Sequence, residues 1–223
     1  TTSLPGTVSI DAGQFTIAVD GPVTEQYTRK DKNVVLANVS FTTGGEDVDV
    51  EQLFILLEAK TSTGAGFTNG GGRAAVSTSA NEVHEALEKV ELRNTTTGRT
   101  VSGVRLTSTG DSAATSTGSF QVYRFDDFII RGAEKYEIRV NFIDNSGISS
   151  AALPANGDKF RAHICGEATH ELNTSNELVA NTTGCNVGGW FTSKTAYQMK
   201  IKGVTTNDRV GDYRPGGTVS GNF

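Results

Sequence analysis

The segment EKYEIRVNFID, residues 134–144, alternates without a break, with Tyr136, Ile138, Val140 and Phe142 on one side and Glu137, Arg139 and Asn141 on the other. A period of two belongs to a strand with one dry face and one wet face. The same rhythm recurs along the chain. Residues 6–20 place Val8 and Ile10, then Phe15, Ile17 and Val19, at alternate positions, and Ala12-Gly13 breaks the phase between the two sets. One bulged strand or two short ones are predicted there. NVVLANVSFTT puts Val35, Ala37, Val39 and Phe41 on one face, and a turn at Gly44-Gly45 leads into VDVEQLFILLEAK, so these two strands are predicted to form a hairpin-like unit. NEVHEALEKVELRN carries Val83, Ala86, Leu87 and Val90 at helical spacing while its end alternates, which predicts a helical turn running into a strand. RTVSGVRLT, SFQVYRFDDFIIRG, FRAHIC and TAYQMKIKGV supply further strands.

Between these strands lie polar stretches, a Gly/Ser/Thr-rich insertion over 61–80 and a second loop over 107–119. No strand-helix-strand series suggests a parallel sheet. The predicted fold is therefore all-β, an antiparallel immunoglobulin-like β sandwich or a jelly-roll-like variant, with long polar loops. It is read as one domain over 21–223, preceded by an N-terminal strand within 1–20.

Composition agrees, with 26 Gly, 1 Met and 1 Trp in 223 residues favouring short strands and many turns. The net charge of −5 comes with Lys and Arg scattered rather than clustered, which argues against nucleic acid or an anionic membrane surface as the main partner. The longest apolar run, 53–57, is far too short to span a bilayer, so no membrane insertion is expected. Cys165 and Cys185 form an even pair in a Thr/Asn-rich stretch and are predicted to be joined by a disulfide, which implies an oxidising compartment. A zinc site with His163 and His170 is the alternative, although the tight ligand pairs usual for zinc are missing. Four Asn-x-Ser/Thr sequons, at Asn38, Asn94, Asn173 and Asn181, are glycosylation candidates and fit an extracellular protein secreted after signal removal.

The stretches KNVVLANVSFTTGGEDVDVEQLFI, LEKVELRNTTTGRTVSG and FDDFIIRGAEKYEIRVNFID, in that order, resemble the secreted immunoglobulin-like β-sandwich domains of surface-layer and filament proteins common in candidate-phylum bacteria. The likeness covers residues 32–144 and rests on strand alternation and turn residues. It implies a fold and a surface location more than a reaction. This chain departs from the tandem repeats usual in that family, since it carries no second copy of the motif, and the 61–80 insertion and the 165–185 loop lie outside the pattern.

Candidate chemistry is sparse. GDSAA at 110–114 sits in a polar loop without a matching base, and neither His84 nor His163 has the surroundings of a catalytic histidine. No enzyme activity is expected. Asp47, Asp49 and Glu51 stand at alternate positions before the apolar run. Such residues are about 7 Å apart, so they share a calcium ion only with help from carbonyls such as those of Gly44 and Gly45; otherwise they are the wet face of a strand. Trp190, Phe191, Tyr197 and Tyr213 offer either a stacking platform for surface glycans or ordinary core packing. Beyond Leu53 both faces are apolar, and the second face, with Phe54 and Leu56, calls for a cover from a loop of the same chain or from a neighbouring subunit.

These features predict a structural subunit of an extracellular filament, tube or surface layer whose partner is itself, a homopolymer needing no cofactor. In that reading Val8, Ile10, Phe15, Ile17 and Val19 complete the sheet of a neighbour by β-strand addition. The plainer reading makes the same segment the first strand of its own sheet. The alternative function is a carbohydrate- or calcium-binding adhesin module.

Overall fold

A computed structural model describes residues 14–20, 26–60, 83–106, 118–144, 157–165, 171–172, 178–179, 199–207 and 214–215. In chain order its elements are β1 (Gln14–Asp20), β2 (Val34–Gly44), β3 (Val48–Lys60), a helical turn α1 (Val83–Ala86), β4 (Leu87–Asn94), β5 (Thr100–Ser102), β6 (Val104–Arg105), β7 (Gly118–Ile130) and β8 (Ala133–Phe142). They continue with β9 (Lys159–Cys165), β10 (Glu171–Leu172), β11 (Leu178–Val179), β12 (Lys200–Gly203) and β13 (Arg214–Pro215). The molecule is all-β, as the alternation predicts, and α1 is the helical turn running into a strand.

Two sheets face each other. One is ordered β13-β1-β2-β8-β4-β5 and the other β12-β3-β7-β6, with β9 also paired to β3. All of these pairings are antiparallel except β1 with β13. The inner faces of both sheets merge into a single cluster, in which Phe41 of one layer meets Phe128 of the other at 6.3 Å and Phe142 meets Phe160 at 5.0 Å. Each such fully buried side chain contributes roughly 1.5–3 kcal/mol. The outer face of the first sheet is a checkerboard of charge, with Glu91 opposite Arg139, Arg93 opposite Glu137, and Arg139 paired to Glu137 at 2.6 Å. That is the wet side of β8 read from the sequence.

The predicted hairpin is not formed. β2 and β3 lie in different sheets, because the corner at 45–47 carries the chain across the sandwich; β7 and β8 cross in the same way through Arg131 and Gly132. The two corners are tied together, Thr43 N–H donating to the Gly132 carbonyl at 2.9 Å and Gly132 N–H to Thr43 Oγ1 at 3.1 Å. Gly45 and Gly132 take positive φ there, 94° and 63°. Thus β2 pairs β8 in one layer while β3 pairs β7 in the other, and the two crossings interlock.

RTVSGVRLT is a third crossing rather than one strand. It splits at Gly103, with β5 on the first sheet and β6 on the second, and a Cβ at Gly103 would lie 2.8 Å from Phe125 Cζ. Two other phases shift. A register irregularity between Val35 and Ala37 leaves Val35 half-buried and turns Val34 and Leu36 inward. In β3 the inward set is Val48 and Val50, then Leu53, Ile55, Leu57 and Ala59; the β3–β7 ladder skips Glu51 and Asp127, and Asp127 has φ 57°.

β9 and β12 lie end to end on one edge of β3. Cys165 pairs with Phe54 and Lys200 with Gln52, so the two halves meet about 7 Å apart. The chain between them leaves and rejoins the same edge, and within it β10 pairs with β11 as a separate two-stranded ladder.

Candidate assembly site

β1 is a seven-residue strand held on one side by a full antiparallel ladder to β2, from Gln14 opposite Gly44 to Asp20 opposite Asn38. Its alternation holds as predicted. Phe15 and Ile17 point into the core, at 3% and 1% exposure, Val19 packs against the same cluster, and Thr16 and Ala18 face out. Phe15 stacks on Phe41 with ring centroids 5.8 Å apart. Here the strand pairs within its own chain. Val8 and Ile10 lie outside the described residues.

Whether β1 can separate from the body depends on how the chain after it is held. From Tyr27 onward the connection to β2 is fastened to the body of the sandwich. Tyr27 packs on Phe142 and donates its hydroxyl to the Val35 carbonyl at 3.1 Å. Phe142 N–H donates to the Asp31 carbonyl at 2.9 Å, Asn33 N–H donates to Asn141 Oδ1 at 2.8 Å, Lys30 pairs with Asp144 at 2.8 Å, and Lys32 pairs with Glu88. Asp31 in turn accepts from Thr28 N–H and Oγ1–H, which holds its carboxyl below the usual range. The start of β2 therefore has its own anchors, independent of β1. Sequence reasoning overlooked this anchor, whose only local signal is Thr28 three residues before Asp31.

The other edge of β1 meets β13, in parallel, through Thr16 with Arg214 and Ile17 with Pro215. The chain reaches β13 from β12 through a turn at 204–206 that is pinned to the 45–47 corner. Glu46 accepts from Thr206 Oγ1–H at 2.7 Å, Thr205 N–H at 2.8 Å and Thr206 N–H at 3.1 Å, and Val204 N–H donates to the Asp47 carbonyl at 2.9 Å. The Thr206 hydroxyl, then the two amides, stabilise the charged carboxylate and lower its pKa.

The three acids of the comb each face a cation. Lys202 Nζ lies 3.0 Å from Glu51 and 3.6 Å from Asp49, and Arg131 lies 3.8 Å from Asp47. Glu51, more than Asp49, raises the Lys202 pKa. Among the described residues no group of three or more His, Cys, Asp or Glu side chains is placed to hold a metal ion.

Phe54 and Leu56 are each 3% exposed within the single chain, yet they stand apart from the main core cluster, as does buried Val122 opposite Leu56. Their burial is reached within one chain. Asn94 is also buried. Its Oδ1 accepts from Thr96 and Thr97 N–H, and its Nδ2 donates to Glu134 at 2.8 Å, beside Tyr136, which burial pushes up to about 12. An amide used in this way is a turn cap rather than a glycan acceptor. Asn38 is exposed on β2.

Asn173, Asn181, Cys185, His170, the 61–80 insertion, the GDSAA loop and Trp190, Phe191, Tyr197 and Tyr213 lie outside the described residues, as do the side chains of His84, His163 and Cys165. No helix among the described residues is long and apolar enough to cross a membrane. No protein-family model, curated protein or solved structure matches the chain.

Proposed function

We propose that this chain is the structural subunit of an extracellular filament, tube or surface layer, with an immunoglobulin-like sandwich as its body and β1 as the strand one copy lends to the next. The observation that carries this reading is that β1 takes no part in the anchors that hold the start of β2. The two core side chains of β1 fill a seat lined by Phe41, while the chain from Tyr27 onward is fastened without it. Burying Phe15 and Ile17 gives roughly 1.5–3 kcal/mol each whichever copy supplies them. Exchange therefore swaps like contacts for like contacts.

The sequence between β1 and Tyr27 contains Gly21-Pro22. Proline fixes its own φ and biases the residue before it towards extended backbone, which is compatible with a strand that runs on to a neighbour. Six extended residues reach about 20 Å, so the accepting copy must sit directly alongside. A head-to-tail contact of this kind leaves each copy with one strand given and one received, and it propagates without closing. The wet outer face of the first sheet suits a surface-exposed polymer. The Cys165 and Cys185 staple and secretion to the cell surface belong to the same reading.

Thr16 and Thr42 are opposed in the β1–β2 ladder and both face out. In a chain carrying Thr16→Cys and Thr42→Cys, oxidation of assembled material is expected to give a ladder of covalent multimers on a non-reducing gel. Links confined to single chains would show that β1 stays home. An adhesin module, by contrast, keeps ligand binding after residues 1–20 are deleted and has no assembly to lose.

A further inference from the structure

We infer that the seat of β1 is a slot closed on both sides, and that the C-terminal segment of the accepting copy clasps the strand it receives from a second copy of this chain. The inference rests on the strand-exchange reading above. β1 is not the outermost strand of its sheet: β2 takes one edge and β13 the other, through Thr16 with Arg214 and Ile17 with Pro215. A strand entering that seat is inserted between two strands rather than laid on an edge.

The clasp stays with the accepting body. Its root at 204–206 is pinned to that body's own 45–47 corner by three hydrogen bonds to Glu46 and one to the Asp47 carbonyl. Beyond the root only residues 207–213 lie before Arg214, a reach of about 25 Å when extended. When β1 departs, the two-residue ladder to β13 is what would draw β13 after it, and the four hydrogen bonds at the root of β13 oppose that pull. β13 is left beside the vacated seat, poised over whatever strand arrives.

Two features suit β13 to this task. A two-residue parallel ladder is short and intrinsically weaker than an antiparallel one, so it opens without cooperative cost. Pro215 lacks an N–H and is tolerated only at a sheet margin, so the sheet ends there and offers no template for a further strand. Growth is then limited to one strand per subunit, with side-by-side sticking of sheets suppressed.

The test pairs two double variants in full-length assembled material. Thr16→Cys with Thr42→Cys reports where the strand sits; Thr16→Cys with Arg214→Cys, joined by a short bifunctional maleimide, reports whose C-terminal segment lies on it. The expected result is links between chains in both. A link between chains in the first, with a link inside one chain or none in the second, overturns the clasp and leaves strand exchange standing. Links inside single chains in both remove strand exchange itself. As a second measurement, deletion of 208–223 is expected to speed replacement of the bound strand by a free peptide of residues 7–20 about tenfold. An unchanged rate overturns the clasp.

Discussion

Phe15 lies over Phe41 with ring planes 17° apart, and Phe41 in turn presents its edges to Tyr136 at 5.4 Å and Phe128 at 6.3 Å. One ring of β1 thus rests on a ring that links the two sheets. The two residues should answer truncation differently. Phe41→Ala is expected to cost about 3–5 kcal/mol in urea unfolding, the usual range for an emptied phenylalanine site. Phe15→Ala should cost less, because residues 27–33 continue to hold the start of β2; equal losses would mean that β1 is integral to the body.

Gly103 is where the chain passes from one sheet to the other, and its amide donates to the Val90 carbonyl at 2.9 Å. A methyl group there would stand 2.8 and 3.1 Å from the Phe125 ring and 3.3 Å from Tyr123 Cβ. Gly103→Ala is expected to destabilise by about 1–3 kcal/mol, as overpacking does in a filled core. Thermal unfolding of the variant checks this.

Glu46 gives the fold a dependence on pH with a defined sign. Its folded pKa is lowered from the ordinary 4.5 by hydrogen bonds from Thr206 and Thr205. The stability it supplies is complete above 4.5 and is lost as pH falls through the lowered folded value. Glu46→Gln should therefore flatten the acid limb of the stability curve, measured by urea midpoints at successive pH values. A variant whose acid limb matches that of the unmutated chain would place the effect elsewhere.

Lys202 is held between Glu51 and Asp49, and its pKa is raised above 10.5 chiefly by Glu51. Its contribution is present below 10.5 and lost as pH rises through the raised value. With this cation in place, calcium is expected to leave the thermal midpoint where EDTA leaves it. A calcium-dependent rise in the unmutated chain would return the acid comb to the role of a metal site.

The period-two signal made β1 and β8 legible side chain by side chain, since each strand has one face on the core. It carries no information on which sheet a strand joins, so Gly44-Gly45 looked like a hairpin turn although the chain crosses there. The acid comb was legible as the wet face of a strand, but its partner Lys202 is distant in sequence and adjacent only through the β3–β12 ladder. Asn94 matched a sequon pattern whose meaning depends on burial. β13 pairs through two residues, too few for any period to register.

The seam where β9 ends at Cys165 and β12 begins at Lys200 makes the edge of β3 a socket for foreign sequence. A peptide grafted there begins and finishes beside the same two residues, Phe54 and Gln52, so its length is invisible to the rest of the ladder. If the body polymerises as proposed, every copy along the fibre would carry that graft at a fixed spacing, which turns one interrupted strand into a display site for engineered materials.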